Sequence, residues 1–325
     1  MGRRKSMARE GAVTATLRRF SPLLGLALMC FALSLTSEHF LTVDNLMNVF
    51  RQSAVNALLA LGQLVVIITA GIDLSVGSIL GFCCVLVALM LKAGAPAWVA
   101  IPAALAAGTF LGFINGLLLT KLRLPHPFIP TLGMMNVARG LALVMSGGFA
   151  ISELPASFRF WGAGTLAYVP VPILVVVLFC ILFHLFLSGT TPGRDIYAIG
   201  GNKQAALLSG VPVNRRLDTV YGMSGFMSAV AAIVLAGRMN SGFPLAGMGA
   251  ELDSIAAVII GGASFFGGIG GVGGTLVGAL VIGVLRNGLN LLDVSAYWQT
   301  VVIGAVIVAA VWVDVLRQRS ATKAE

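Results

Sequence analysis

The sequence predicts an all-α fold, a polytopic membrane bundle of about ten transmembrane helices, and three observations support this. Of 325 residues, 58% are hydrophobic and only 10% are charged, whereas soluble domains carry about 25% charged residues. The mean hydropathy of +0.97 is too high for a surface that meets water on all sides. Forty glycines indicate helices whose backbones approach closely. The spans must be helical, because lipid offers no hydrogen bonds to backbone groups.

Ten apolar segments are candidates to cross a hydrocarbon layer that requires about 20 residues of helix. The third, eighth and ninth are the weakest, being short or interrupted by glycine. The predicted spans are residues 20–36, 53–71, 76–91, 97–120, 128–146, 168–188, 219–237, 254–270, 273–290 and 297–315.

The distribution of Lys and Arg orients these spans. With the N-terminus inside, fifteen basic residues fall in inner segments and five in outer segments, while Arg139 lies within the fifth span. Inner loops of membrane proteins are enriched in Lys and Arg. We therefore expect a cytoplasmic basic N-terminus (1–19), a transmembrane domain (20–315) with a long inner loop (189–218), and a cytoplasmic C-terminus (316–325). The net charge of +9 therefore reflects this topology and not nucleic-acid binding. We expect membrane lipids to surround the chain.

Residues 37–52 mix charged and amide side chains with apolar ones. This stretch is compatible with an amphipathic helix lying on the outer membrane surface. It is equally compatible with an ordinary solvated connector.

A polar break separates the second and third spans. Gly71 is suited to ending the first helix, and Asp73 or Ser75 to capping the next one. Gly77 and Gly81 then form a small-residue face. A capped turn accounts for this chemistry, whereas ion binding by Asp73 would require partners that the sequence does not identify.

Glycine patterns mark two further features. Gly108, Gly112 and Gly116 recur every fourth residue and predict a close helix contact. Residues 261–274 predict a glycine-rich break between short half-helices, since a nucleotide-binding reading of the same glycines would need a soluble βαβ unit. Residues 64–81 and 255–278 share a pattern of apolar run, break and Gly-x-x-x-Gly, which is typical of internal repeats in transporters.

The inner loop carries a predicted two-turn helix. Asn202 is a suitable N-cap, residues 203–209 form the helix, Gly210 ends it and Pro212 follows. Such a helix is suited to docking a soluble partner, although a lipid contact or plain connector is also compatible with it.

Nothing in the sequence indicates catalysis. It contains no Walker A motif, no metal-ligand cluster and no nucleophile–base pair, so we expect a non-catalytic protein without a bound cofactor or metal. Polar residues within spans tend to face the interior and are candidates for lining a substrate path, although Arg139 could instead tie helices together. These candidates are Asn56, Gln63, Asn115, Asn136 and Arg139.

An ion-coupled secondary transporter is the rival class of function. Such proteins usually need an acidic residue or His deep within a span. All twelve acidic residues fall in loops or at predicted span ends, which disfavours this class.

Four segments resemble the ribose/xylose-type permeases of ABC importers. The most specific is Gly71-Ile72-Asp73-Leu74-Ser75-Val76-Gly77-Ser78. The others are residues 128–134 with 139–141, residues 193–194 with 198–202, and the glycine-rich 261–278 with 287–290. Together they cover most of the chain between about residue 40 and residue 315.

This resemblance implies a permease subunit in a bacterial inner membrane that imports a monosaccharide by alternating access. It implies three kinds of partner: a cytoplasmic ATPase subunit that binds the ATP, a periplasmic sugar-binding protein, and a second permease copy, identical or paralogous. Residues 204–210 resemble the Glu-Ala-Ala-x-x-x-Gly motif that couples ABC permeases to their ATPases, with Gln in place of Glu. The implied coupling residues are Asn202, Gln204, Ala205, Ala206 and Gly210. A related permease for branched-chain amino acids would differ only in substrate class.

Overall fold

The structure, a computed structural model, describes residues 22–322, with side-chain environments up to Leu316. The predicted basic N-terminus (1–19) lies outside the described residues, as do the last three residues of the predicted C-terminus. The described chain forms thirteen helices and two short β-ribbons. The helices are α1 Pro22–Thr36, α2 Val43–Ile68, α3 Val76–Lys92, α4 Ala97–Lys121, α5 Phe128–Ser146, α6 Ala156–Ala163, α7 Val171–Gly189, α8 Thr191–Gly201, α9 Lys203–Leu208, α10 Val213–Met239, α11 Ala250–Ile260, α12 Val272–Leu291 and α13 Ala296–Thr322.

Seven of these helices are long and apolar enough to cross a membrane, namely α2, α4, α5, α7, α10, α12 and α13. Two more, α1 and α3, are apolar but shorter, and α11 has only 11 residues. The chain is thus a multi-pass helical membrane protein, and each of the ten predicted spans overlaps one of these ten helices, of which seven have the length and composition of a membrane span.

The bundle is built around α2 and α10. In the most apolar 18-residue stretch of each of these two helices, 83% of the residues are buried within the protein. The corresponding share is 28% in α7 and 11% in α13. α2 packs against α10, α11 and α12, and α10 packs against α4. The peripheral helices therefore leave their apolar faces to lipid, while the two central helices form the core.

Glycine allows α4 and α10 to meet backbone to backbone, as the sequence predicts. A Cβ on Gly225 of α10 would collide with the carbonyl oxygen of Gly108 and lie 2.9 Å from the backbone of Gly112. A Cβ on Gly116 would lie 2.6 Å from the Cα of Asp218. The predicted small-residue face is thus a helix–helix contact.

Neither reading fits the whole of residues 37–52, because residues 37–42 form a connecting turn while α2 begins at Val43 and continues through the rest of the stretch. Thr42 caps the helix by accepting from the Asn45 N–H at 3.4 Å. The Asn45 side chain exchanges two amide hydrogen bonds with Asn287 of α12, at 2.7 and 3.1 Å. The polar groups of this stretch are thus used inside the bundle and not only at a membrane surface.

Three other predicted boundaries also differ. The eighth span does not run to residue 270, because α11 ends at Ile260 and the glycine-rich break follows. The second helix ends at Ile68, and not at Gly71, because Ala70 adopts the left-handed conformation with φ of 59°. At the C-terminus, α13 continues to Thr322, beyond the predicted end of the last span.

The two ends of the bundle are distinct. At one end lie α6 and the β-ribbons: β1 (Ile151–Ser152) pairs antiparallel with β4 (Ser241–Gly242), and β2 (Thr165–Leu166) with β3 (Val169–Pro170). This is the α6 end. The opposite end carries α8 and α9 and is the α8/α9 end.

The close α4–α10 contact predicts a sharp difference between two glycines one turn apart on α10. Gly225→Ala should destabilise the protein by about 1–3 kcal/mol, because the new methyl group has no room. Gly222→Ala is the matched control, since its Cβ would meet nothing closer than 3.9 Å and alanine is the better helix former. Thermal unfolding of the purified protein in one detergent measures both. Equal midpoints for the two variants would contradict the contact.

Candidate functional site

A non-helical turn, residues 69–75, connects α2 to α3 inside the bundle. After α2 ends, the left-handed Ala70 reverses the chain, and the Gly71 N–H donates back to the Val66 carbonyl at 3.0 Å. A Cβ on Gly71 would lie 2.7 Å from the Tyr221 hydroxyl and 3.1 Å from the Val66 side chain. Gly71 is therefore required by close packing, not by its φ angle.

Asp73 lies at the centre of this turn and is completely buried. One carboxyl oxygen accepts from the Ser75 N–H at 2.9 Å and from the Ser75 hydroxyl at 2.6 Å. The other accepts from the hydroxyl of Ser224 on α10 at 2.8 Å. Asp73 thus joins the turn to a central helix of the bundle.

Two amide side chains complete the network. With its amide oriented to match its neighbours, Gln63 of α2 donates to the Asp73 carbonyl at 3.2 Å and accepts from the Asp73 N–H at 3.1 Å. Asn115 of α4 donates to the Ser75 hydroxyl at 2.9 Å. Three helices therefore supply hydrogen bonds to one turn. Gln63 satisfies backbone groups that lipid could not solvate, and Ser224 and Asn115 fix the side chains of Asp73 and Ser75.

This network corrects two expectations. Asp73 does not cap α3 in the usual way; it accepts from Ser75, whose own side chain makes no cap hydrogen bond to α3. The inference from loop and span-end positions that no acidic residue is buried is also wrong, because Asp73 lies in a turn between two spans and is fully buried. A carboxyl group placed between two spans in the sequence is drawn inward when the turn folds back along α2.

The second break, residues 261–271, meets the first at the α8/α9 end. The carbonyl of Ile68, at the end of α2, has no partner within the helix. The Gly268 N–H donates to it at 2.8 Å. A Cβ on Gly267 would lie 2.9 Å from Ala70. The two segments that share the predicted repeat pattern are thus in direct backbone contact.

Helix α8, in the predicted inner loop, contacts the place where the two breaks meet. A Cβ on Gly200 would collide with the Ile68 carbonyl and the Gly268 nitrogen. The Tyr197 hydroxyl donates to the Gly270 carbonyl at 2.9 Å, and burial raises the pKa of this phenol. We call this contact of α8 with both breaks the junction.

Helix α9 follows α8 directly and has the predicted form. Asn202 accepts from the Ala205 N–H at 2.9 Å, and Gly210 ends the segment with φ of +84°. Ala206 is the buried member of the helix and packs with Ile199 and Leu217. Gln204 and Ala205 are exposed, so the helix presents one face outward.

The outward face of α9 carries two apolar residues that the sequence analysis did not single out. Leu207 is 63% exposed and Leu208 is 89% exposed. Their position next to the predicted coupling residues was a usable signal, because two adjacent leucines on a six-residue helix cannot both be buried when one face packs on α10.

A cavity of about 530 Å³ separates α9 from the turn. Gly71 lines one side and Asn202 and Lys203 line another, with Arg123 at its edge. The buried Tyr221 hydroxyl, also in this lining, has no hydrogen-bond partner among the described residues. The turn and α9 are thus two walls of one space at the α8/α9 end.

The structure separates the five predicted path residues into three groups. Gln63 and Asn115 are buried and hold the turn. The Asn56 amide is buried without a partner among the described residues. Asn136 is exposed on α5, and Arg139 is half-buried one turn further along the same helix. Their roles in transport remain predictions.

Residues 45–311 match the protein family described as "Branched-chain amino acid transport system / permease component". The chain belongs to this permease family. No solved structure matches it.

Curated relatives match over nearly their whole length. The ribose import permease protein RbsC of Bacillus subtilis (strain 168) is 45% identical over 307 residues, covering 94% of each chain. The D-allose transport system permease protein AlsC of Escherichia coli (strain K12) is 40% identical over 86% of each chain. The L-arabinose transport system permease protein AraH of the same strain is 35% identical over 93% of this chain and 92% of its own.

The Asp73 network predicts that hydrogen bonding, not charge, holds the turn. Asp73→Ala leaves the Ser75 N–H and two hydroxyls without their acceptor, and each buried donor so stranded costs about 1–3 kcal/mol. Asp73→Asn keeps one acceptor oxygen in place, and the Ser224 hydroxyl can rotate to accept. We expect a large loss of thermal stability in the Ala variant of this permease and a small one in the Asn variant. If the Ala variant unfolds at the temperature of the unmodified permease, the network does not hold the turn.

Proposed function

We propose that this chain is the membrane-spanning permease subunit of an ABC importer for a monosaccharide of the ribose class. The observation that carries this proposal is the similarity to curated relatives named for ribose, D-allose and L-arabinose, over at least 86% of the chain. Ribose is the sugar we favour, because the relative named for it has the highest identity of these three, 45%.

Branched-chain amino acids are the alternative substrate class that the family description suggests. The relatives reported above carry sugar names, and the segments that resemble ribose/xylose-type permeases run through most of the matched region. We therefore favour a sugar within this family.

Ion-coupled transport is the other alternative, and the buried Asp73 requires it to be considered. A carboxyl group that carries protons or sodium must reach water during the cycle. Both oxygens of Asp73 are instead occupied by serine donors within the turn and on α10. This arrangement favours a structural role for Asp73, and membership of the permease family favours an energy source outside this chain.

In this proposal a cytoplasmic ATPase subunit supplies the energy by binding and hydrolysing ATP, while the permease itself is non-catalytic. We place the α8/α9 end and both termini in the cytoplasm, in agreement with the fifteen-to-five bias of basic residues. The exposed face of α9, with Gln204, Ala205, Leu207 and Leu208, is the docking surface. A second permease copy and a periplasmic sugar-binding protein complete the transporter.

The contacts of α8 suggest how docking is converted into transport. Closure of the ATPase subunits would displace α9, and α8 would pass the displacement to the junction. Since the junction touches the ends of α2 and of the 261–271 break, the bundle would rock between outward-open and inward-open states. Sugar delivered by the binding protein needs only a weakly polar path through such a bundle.

Docking through α9 predicts that Ala205→Glu abolishes ATPase association. Ala205 is exposed, so the substitution leaves folding intact while placing an unpaired charge in an apolar contact. Co-purification of the ATPase subunit with tagged permease measures the loss, and the membrane-inserted amount provides the control for expression. Normal co-purification would refute docking through this face.

Gly210 is a less informative position, although bulk there should have the same effect. Its φ of +84° strains any other residue, so a Gly210 variant confuses docking with folding. A better second variant is Leu208→Asp, whose side chain is 89% exposed. Leu166→Asp at the α6 end, 59% exposed, is the matched control and should retain the ATPase.

A further inference from the structure

Residues 241–252, from β4 through the first three residues of α11, form a segment that enters the bundle from the α6 end. It begins in the β1–β4 ribbon and descends along α3. Gly242 packs against Cys84 and Ala88, and further down Gly247 packs against Gly77. We call residues 241–252 the inserted segment.

The inserted segment reaches far into the membrane. From Ala88 to Gly77 it follows eleven residues of α3, or about 16 Å of helix at 1.5 Å per residue. The hydrocarbon layer is about 30 Å thick. The lower part of the segment therefore lies well inside the hydrocarbon layer.

One face of the inserted segment is uncovered. Pro244 and Ala246 are buried against the bundle, whereas the large apolar side chains on either side of them in the sequence face outward. The exposed fractions are 41% for Phe243, 40% for Leu245, 77% for Met248 and 50% for Leu252.

Lipid is a poor partner for this face. Residues 243–249 are not helical, and non-helical backbone at membrane depth is tolerated only where it is buried in protein or lines a water-filled cavity. The outer face of α7 is the contrast, since it is regular helix and exposes Leu174, Val177, Leu178 and Ile181. α7 is built for lipid, and the inserted segment is not.

Arg139 of α5 anchors the inserted segment and adds polarity to the same surface. One guanidinium nitrogen, Nη1, donates to the Pro244 carbonyl at 2.7 Å and to the Ala246 carbonyl at 2.8 Å. The remaining N–H groups of Arg139 have no hydrogen-bond partner among the described residues. Asn136, three residues earlier and so on a similar helix face, uses its amide nitrogen on the Leu132 carbonyl and leaves its oxygen free.

The space beside α5 on this surface is open. A Cβ on Gly133 or Gly140 would meet nothing within 4 Å. An apolar wall that includes an aromatic ring, with a few free donors and acceptors beside it, matches the general composition of small-molecule sites. A monosaccharide presents both C–H faces and hydroxyl groups, and this surface offers partners for each.

We infer that the inserted segment, together with the Asn136 and Arg139 side of α5, forms a wall of the aqueous sugar path. This inference rests on the proposed import function. Phe243, Leu245 and Met248 supply apolar contacts to the passing sugar, and the free groups of Arg139 and Asn136 supply hydrogen bonds. Gln63 and Asn115 hold the turn and are not part of this wall.

Cysteine reactivity in the assembled transporter tests the inference. Met248→Cys and Leu245→Cys are compared with Leu178→Cys, a matched leucine-to-cysteine change on the lipid-facing side of α7. The probe is a charged, membrane-impermeant maleimide, and labelling of the unmodified permease is subtracted as background. A thiol reacts as its thiolate, which apolar surroundings disfavour, so the wall positions should label at least about tenfold faster than Leu178→Cys.

Two results would overturn the inference. Labelling of both wall variants as slow as that of Leu178→Cys would mean that the face meets lipid. Slow labelling together with efficient oxidant-induced disulfide formation between two Met248→Cys chains would mean a dry contact between permease copies.

A transport measurement separates this inference from the proposed function. In proteoliposomes, Phe243→Ala should lower sugar import several-fold, whereas Leu178→Ala should not, and both should retain their ATPase subunit. Unchanged import by Phe243→Ala and by Met248→Gln would contradict the wall. Failure of any ATPase to co-purify with the unmodified permease would instead contradict the proposed function, while the labelling result would still report whether the face meets water.

Discussion

The hydrogen-bonding demand of backbone groups in a membrane is the constraint on which this structure depends. Helices meet that demand internally, but this chain also contains two non-helical breaks inside the bundle, residues 69–75 and 261–271. In the turn after α2, Gln63 pairs with the backbone of Asp73, and the Asp73 carboxyl group accepts from the Ser75 N–H. Ser224 and Asn115 hold the side chains of Asp73 and Ser75 in place. Where the second break meets the first, the backbone N–H of Gly268 donates to the buried carbonyl of Ile68, which has no partner within α2.

Glycine makes this solution possible by a second route. The backbone contacts between α4 and α10, and between α8 and the two breaks, leave no room for a Cβ. Direct contact between backbones removes the layer of side chains that normally separates helices. The same chain therefore uses glycine for tight static packing in the core and for close contact between its irregular segments.

The sequence predicted the helical class, the position of most helices, the capped α9 and the glycine-mediated contact, because each depends on local composition or spacing. It failed where tertiary contacts decide. Residues 43–52 are the first turns of a long α2 that contacts α12 through Asn45 and Asn287, and the folding-back of residues 69–75 buries Asp73. The inserted segment was missed for a related reason: its exposed apolar residues in a loop gain meaning only when contacts with α3 place that loop at membrane depth.

The junction has a mechanical consequence. Side chains between packed helices can change rotamer and so absorb small displacements. Where Gly200 meets Ile68 and Gly268, backbone contacts backbone directly, and no side chain lies between them to absorb a displacement. A shift of α8 by a fraction of an ångström must be followed by both breaks or be resisted by them. The junction is therefore mechanically stiff, because Gly200 has no side chain that could absorb the movement.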